Sequence, residues 1–144
     1  MTRLAIIHND ALGVDDREVR RPGPTYTVDT LAELRAEGET NIVLVLGVDA
    51  LADMPNWKQP GKIGTLARIV ISLKGQDVGA LPNLARAASL DYVPEALDMP
   101  ALDISGTAIR ARVAAGKPIR YLVPPAVADY IVEHHLYLDP EVAH

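Results

Sequence analysis

The run Asp103-Ile104-Ser105-Gly106-Thr107-Ala108-Ile109-Arg110 carries the densest chemistry in the chain. Ser105 suits a helix N-cap, but the residue three positions on is Ala108, so no Glu or Gln returns to close a capping box. The first turn therefore offers backbone N–H groups, the Thr107 hydroxyl and the positive end of the helix dipole. Arg110 follows about one turn later. Such donors suit an anion, phosphate above all. An ordinary capped helix with a solvated arginine is the competing reading.

A second cluster, Leu46-Gly47-Val48-Asp49, ends a continuous apolar run. In open α/β sheets ligands bind outside the carboxyl ends of strands. Gly47 would admit a close backbone approach, and Asp49 could accept a ribose hydroxyl. A glycine turn with Asp49 as a helix cap fits the same residues. Trp57, the one tryptophan, lies in Met54-Pro55-Asn56-Trp57-Lys58. There it either stacks on a planar heterocycle or covers the edge of a core. Gly23-Pro24-Thr25-Tyr26-Thr27 would present hydroxyls and a helix start to a ligand, or simply cap the helix. Arg17, Arg20 and Arg21 read as a solvated basic face, and Arg120 as either that or part of a phosphate site.

The elements that must position these residues alternate between strand and helix, which favours an α/β fold. Residues 4–7 are too short to classify by period. Residues 14–20 are mostly polar and suit an exposed edge strand. Val28, Leu31, Ala32 and Leu34 make one apolar face of a helix over 28–37, with Gly38 as its stop. Residues 41–47 read as a central parallel strand covered on both faces, because the apolar run is unbroken. Residues 63–67 suit a helix and 68–73 a second strand. Residues 74–100 read as loop, with a short strand at 90–93. Helices are expected over 106–115, stopped by Gly116, and from Pro124-Pro125 to His135.

Composition narrows the function classes. The 144 residues are 49% apolar, with 14 basic and 19 acidic side chains and a formal net charge of −5. That balance gives no general attraction to nucleic acid or anionic membranes. With no cysteine there is neither a disulfide framework nor a thiolate zinc site. No apolar run approaches the roughly 20 residues of a membrane helix, and the start lacks a secretory pattern. The expectation is a soluble, cytoplasmic, single domain over 1–144. GxGxxG and Walker A patterns are absent, and no metal site is expected. Adjacent His134 and His135 diverge by about 100° on a helix, and His8 and His144 lack ligand-spaced partners.

Taken in order, five segments are similar to one family. They are Gly-Pro-Thr-Tyr-Thr-Val-Asp-Thr-Leu (23–31), Leu-Gly-Val-Asp-Ala-Leu (46–51), Pro-Asn-Trp (55–57), Ile-Ser-Gly-Thr-Ala-Ile-Arg (104–110) and Ile-Arg-Tyr-Leu-Val-Pro (119–124). Together the chain resembles the bacterial nicotinate-nucleotide adenylyltransferases from about Leu4 to Tyr137. The resemblance implies a Rossmann-like nucleotidyltransferase fold, a parallel sheet with helices on both faces. It also implies an enzyme of NAD biosynthesis that joins ATP and nicotinate mononucleotide, releasing pyrophosphate, with Mg²⁺ on the triphosphate. The mononucleotide phosphate would attack the α-phosphorus of ATP in line, the protein acting by positioning and charge stabilisation. By position, Gly47, Asp49, Ile104, Ser105, Thr107 and Arg110 would bind ATP. Thr27 and Trp57 would sit at nicotinate mononucleotide, the indole stacking on the pyridine ring.

The departures are specific. The family's opening glycine-rich strand and its His-x-Gly-His signature, which stabilises the triphosphate in the transition state, are not in this sequence. The expectation is therefore the C-terminal portion of the domain, lacking the first strands and holding no catalytic residue. Leu73-Lys74-Gly75 stands where Arg-Pro-Gly is usual, with Lys74 as a partial substitute, and Gly106 stands where serine or alanine is usual. In the order 3-2-1-4-5, residues 14–19 would be strand 3 and 41–47 strand 4, leaving strand 4 with a bare apolar edge. A complementing chain or a homo-oligomer could cover that edge. A non-catalytic nucleotide-binding remnant or interaction module is the alternative function, and nicotinamide mononucleotide the alternative substrate.

Overall fold

The computed structural model describes residues 1–73, 77–88, 90–97, 99–100 and 102–138. The chain runs through α1 (Thr2–Ala5), α2 (Arg17–Arg20), α3 (Thr27–Ala36), β1 (Val43–Gly47) and α4 (Val48–Asp53). It continues through a 3₁₀ turn at Met54–Asn56, α5 (Pro60–Leu66), β2 (Arg68–Ser72), a second 3₁₀ turn at Val78–Ala80 and α6 (Leu81–Ala87). Last come β3 (Glu95–Leu97), α7 (Gly106–Ala114) and α8 (Pro125–Glu133). These elements form two compact units, one of residues 16–102 and the other of residues 1–15 with the described residues from Asp103 onward.

In the unit of residues 16–102 the three strands are parallel and ordered β1-β2-β3. The register pairs Gly47 with Ser72 and Ser72 with Leu97, so the carboxyl ends of all three strands form one row. The strand covered on both faces is β2, not β1. Ile69 to Ser72 are all buried, whereas Val43 and Val45 of β1 are 39% and 55% exposed. An unbroken apolar run reports what residues are, and here Leu44 and Leu46 turn to the core while the valines alternate away from it. Ile69 and Ile71 anchor a core with Leu51, Met54, Ile63 and Val28.

Residues 14–20 do not form the expected edge strand. Asp16 starts the single turn α2, its carbonyl accepting from the Val19 and Arg20 N–H groups, and its carboxylate pairs with Arg20 at 2.8 Å. Arg17 reaches Glu37 with two hydrogen bonds of 2.9 and 3.2 Å, and Arg21 reaches Glu33 at 2.8 Å. Arg17 and Arg21 thus clasp α2 to α3 rather than joining a solvated face, while Arg20, 75% exposed, stays on it. The polar side chains find partners on a helix, and no alternating apolar set competes for a sheet.

Two further differences fall in residues 74–100. Helix α6 was hidden by Pro82, which reads as a breaker but occupies the first turn, where its missing N–H costs nothing. Leu81, Leu84, Ala85 and Ala88 then make the apolar face. The short strand lies at Glu95–Leu97 rather than 90–93, and all three of its residues are exposed, so burial pattern gives no clue to it. Lys74 and Gly75 lie outside the described residues, as does His144.

In the other unit, Ile119, Val127 and Ile131 form a small core against which Leu4, Ile109, Val113 and Leu136 pack. Helix α7 ends at Ala114, two residues before Gly116 at φ +63°, and α8 starts with Pro125 at its first turn, close to where the sequence indicates. The Arg112 guanidinium closes the α7–α8 connection by donating twice to the Pro118 carbonyl, at 2.8 and 3.0 Å.

Candidate functional site

Two constellations stand out, one in each unit. At the start of α7 the Ser105 hydroxyl accepts from the Ala108 N–H at 3.1 Å, the N-cap expected from the sequence. The N–H groups ahead of Ala108 have no acceptor inside the helix. Arg110 folds back over this turn: Nη2 donates to the Thr107 hydroxyl at 3.1 Å. Its Nη1 would lie 3.1 Å from a Cβ placed on Gly106, so the glycine leaves room for the guanidinium. Ser105, Thr107, Arg110 and the neighbouring Ile104 are all exposed. The arrangement gathers backbone donors, a hydroxyl and a fixed cation with no carboxylate in the first turn. Chemically it can hold a phosphate. Replacing Ser105 with alanine should cost about 1 kcal/mol of stability, read as a lower unfolding midpoint.

The second constellation surrounds Trp57. A cleft of about 270 Å³ is walled by Thr25, Tyr26 and Thr27 at the start of α3 and by Asn56, Trp57 and Lys58 after α4. Buried Val28 and Ile63 form its floor. The indole packs against the edge of the main core, as one reading expects, and its exposed part lines the cleft. Asp53 fixes the ring: its carboxylate accepts from the Trp57 indole N–H at 3.2 Å and from the Asn56 amide at 2.9 Å. Those donors, Asn56 foremost and Trp57 next, hold the Asp53 carboxyl below its ordinary value of 3.8. The sign follows from the depressed value: the bonded arrangement is complete above the ordinary pKa and is lost only as pH falls through the lowered one. Trp57 emission should therefore stay level from neutral pH through the ordinary aspartate range and change only below it, as a fluorescence titration would record.

Lys58 closes one side of the cleft. Its ammonium meets both Asp29 oxygens, at 2.7 and 3.0 Å, and lies 4.7 Å from the Tyr26 ring centroid. Tyr26 and Lys58 stood inside the segments already singled out, but nothing in their types gave them a role. The Asp29 and Asp53 contacts had no signal in the sequence, since one spans 29 residues and the other depends on a 3₁₀ turn.

Gly47 and Asp49 lie at the carboxyl end of β1 in this same unit. The N-cap of α4 is Gly47, without a side-chain cap, so Asp49 is not the cap but an exposed acid in the first turn. A Cβ on Gly47 would meet nothing within 4 Å, and the backbone there is open to a ligand. Arg120 sits 5.6 Å from the Tyr121 ring centroid. Among the described residues no three His, Asp or Glu side chains group to hold a metal.

A solved nicotinic acid mononucleotide adenylyltransferase of Plasmodium falciparum, complexed with APC, superposes with a TM-score of 0.59 at 20% identity. The match covers 81% of this chain and 60% of that one. The parallel sheet with its flanking helices thus has the Rossmann-like nucleotidyltransferase fold. A Roseiflexus species has a relative 46% identical over 140 residues, covering 95% of this chain and 69% of that protein. A Synechococcus strain has one 41% identical over 97% of this chain and 69% of that protein, and Chromobacterium violaceum one 40% identical over 95% and 72%. All three are named as probable nicotinate-nucleotide adenylyltransferases. The chain belongs to the nicotinate-nucleotide adenylyltransferase family, nucleotidyltransferases of NAD biosynthesis. No family model matches it. Among the described residues no helix is long and apolar enough to cross a membrane.

Proposed function

We propose that the chain holds the substrates for adenylyl transfer from ATP to nicotinate mononucleotide, giving nicotinate adenine dinucleotide and pyrophosphate in the cytoplasm. The observation that carries this reading is the Trp57 cleft, which unites two sequence-distant segments, 25–27 and 56–58, around one planar side chain. An indole fixed by Asp53 can stack on a pyridine ring without losing rotamer freedom on binding. Thr27 lies in the opposite wall, within reach of a ligand seated there.

For ATP, Ser105, Thr107 and Arg110 would hold phosphate oxygens at the start of α7, beside Ile104. Gly47 and Asp49 would face the adenosine ribose. Mg²⁺ would arrive on the triphosphate as part of the substrate, since the α7 turn offers donors and a cation rather than metal ligands. With both phosphates oriented, the mononucleotide oxygen attacks the α-phosphorus and pyrophosphate leaves. Positioning and charge stabilisation supply the rate.

The His-x-Gly-His segment that stabilises that charge would come from outside these 144 residues. The test is dinucleotide formation from Mg-ATP and nicotinate mononucleotide, by this chain and by the chain joined to a segment carrying a glycine-rich strand and His-x-Gly-His. Activity in the joined protein supports the reading. A well-folded joined protein that makes no dinucleotide sinks it. ATP binding without turnover would favour the second reading, a non-catalytic nucleotide-binding module.

A further inference from the structure

We propose that the cavity between the α7–α8 connection and the outer face of α8 is a second nucleotide site, distinct from the α7 turn, which takes a nucleoside monophosphate whose base bears an amino group. The site stands apart from the adenylyl-transfer reading and does not depend on it. The cavity measures about 660 Å³, within the range of about 300–1,000 Å³ common to small-molecule sites. Both of its walls belong to the unit that carries α8.

The sequence builds each wall. In α8 the buried Val127 and Ile131 turn to the small core, so Pro125, Ala128 and Asp129, at i, i+3 and i+4, share another face. The facing wall is the turn Ile119-Arg120-Tyr121-Leu122, closed by a 3.0 Å hydrogen bond from the Leu122 N–H to the Ile119 carbonyl. Ile119 roots this turn in the core, and Arg112 holds the Pro118 carbonyl behind it. At its tip Tyr121 has φ +65° and is 89% exposed. Bulky side chains rarely hold that conformation, and no burial of the ring offsets it.

Arg120 and Asp129 are the two charged side chains of the lining, one on each wall. Among the described residues neither side chain has an ion-pair or hydrogen-bond partner, and the guanidinium lies 5.6 Å from the Tyr121 ring centroid. One guanidinium matches one phosphate, and the Asp129 carboxylate would repel a longer phosphate chain. Tyr121 offers a stacking face to any base. The choice between bases therefore falls to Asp129, which accepts from an amino group but meets a ring carbonyl lone pair to lone pair.

The test is calorimetric titration of the chain with adenosine monophosphate, inosine monophosphate and adenosine. The first should bind more tightly than the second by about five- to tenfold, the effect of one hydrogen bond. Asp129→Asn should bring the two together, since an amide both donates and accepts. Arg120→Gln should weaken adenosine monophosphate about tenfold while leaving adenosine unchanged. Both substitutions are at exposed positions, and an unchanged thermal midpoint confirms the fold.

Equal loss of adenosine and its monophosphate in Arg120→Gln overturns the proposal, because the arginine would then only shape the turn. Equal affinity of the unaltered chain for the two monophosphates also overturns it. Loss of adenosine monophosphate in Arg110→Ala would move the binding to the α7 turn and sink a separate site. A chain that binds no monophosphate, but self-associates less in Tyr121→Ser, would give this face to protein contact instead.

Discussion

Replacing Arg110 with alanine is expected to weaken ATP binding by about 10- to 100-fold, the range for losing a charge-assisted hydrogen bond. The guanidinium reaches back over the first turn of α7 from the next one, and it is already in place: the Thr107 hydroxyl holds Nη2, and the bare Gly106 leaves space for Nη1. Little ordering cost remains for the ligand to meet. Lysine at the same position should recover only part of the loss, since a point charge lacks the planar fork that meets two phosphate oxygens at once. Calorimetric titration with Mg-ATP measures both variants. Quenching of Trp57 by nicotinate mononucleotide should be unchanged in each, because that cleft is built from the other unit. An Arg110→Ala chain that binds ATP as the unaltered chain does would remove the α7 turn from the site.

The second large effect is on stability. Ile71 is fully buried in the middle strand β2, with helices packed around the sheet. Truncation to alanine removes three carbons where the surroundings cannot close in, at a cost of about 2–5 kcal/mol. Against a typical total of about 5–15 kcal/mol, that is a large fraction. Val45→Ala, by contrast, should shift stability by no more than about 0.5 kcal/mol, because the side chain is 55% exposed. Urea unfolding followed by Trp57 emission compares the two, since the indole packs on the same core. A Val45→Ala loss as large as that of Ile71→Ala would mean that the valine face is covered in solution.

The two substitutions also show how far the amino-acid sequence could be read. Strong apolar periods and glycine stops placed α3, β2, α7 and α8 within a residue or two, because each signal is local. The face of β1 was not legible: Val43 and Val45 have the same composition as a buried strand, and only the pairing partner and the covering layers decide exposure. Residues 14–20 failed for a related reason. Their fate is set by Glu33 and Glu37, which lie on α3 and not in the segment itself.

The candidate site residues divide in the same way. The N-cap and the Arg110 position could be read from spacing, because Ser105, Thr107 and Arg110 lie within two turns of one helix. The planar ring of Trp57 could be named but not its setting. Asp53, Asp29 and Tyr26 join it through a 3₁₀ turn and a tertiary approach, and no period encodes either. The five ordered motifs supplied by resemblance what local physics could not.

The unit that carries the α7 turn is interrupted in sequence, with Leu4 of α1 packing beside Ile131 and Val127 of α8. During synthesis its opening helix emerges first and must wait for its closing helix. At about 5–20 residues per second that delay is on the order of ten seconds. Residues 16–102 are complete well before then and can fold while still tethered to the ribosome. The residues that wall the cleft around Trp57 thus leave the ribosome ahead of those of the α7 turn.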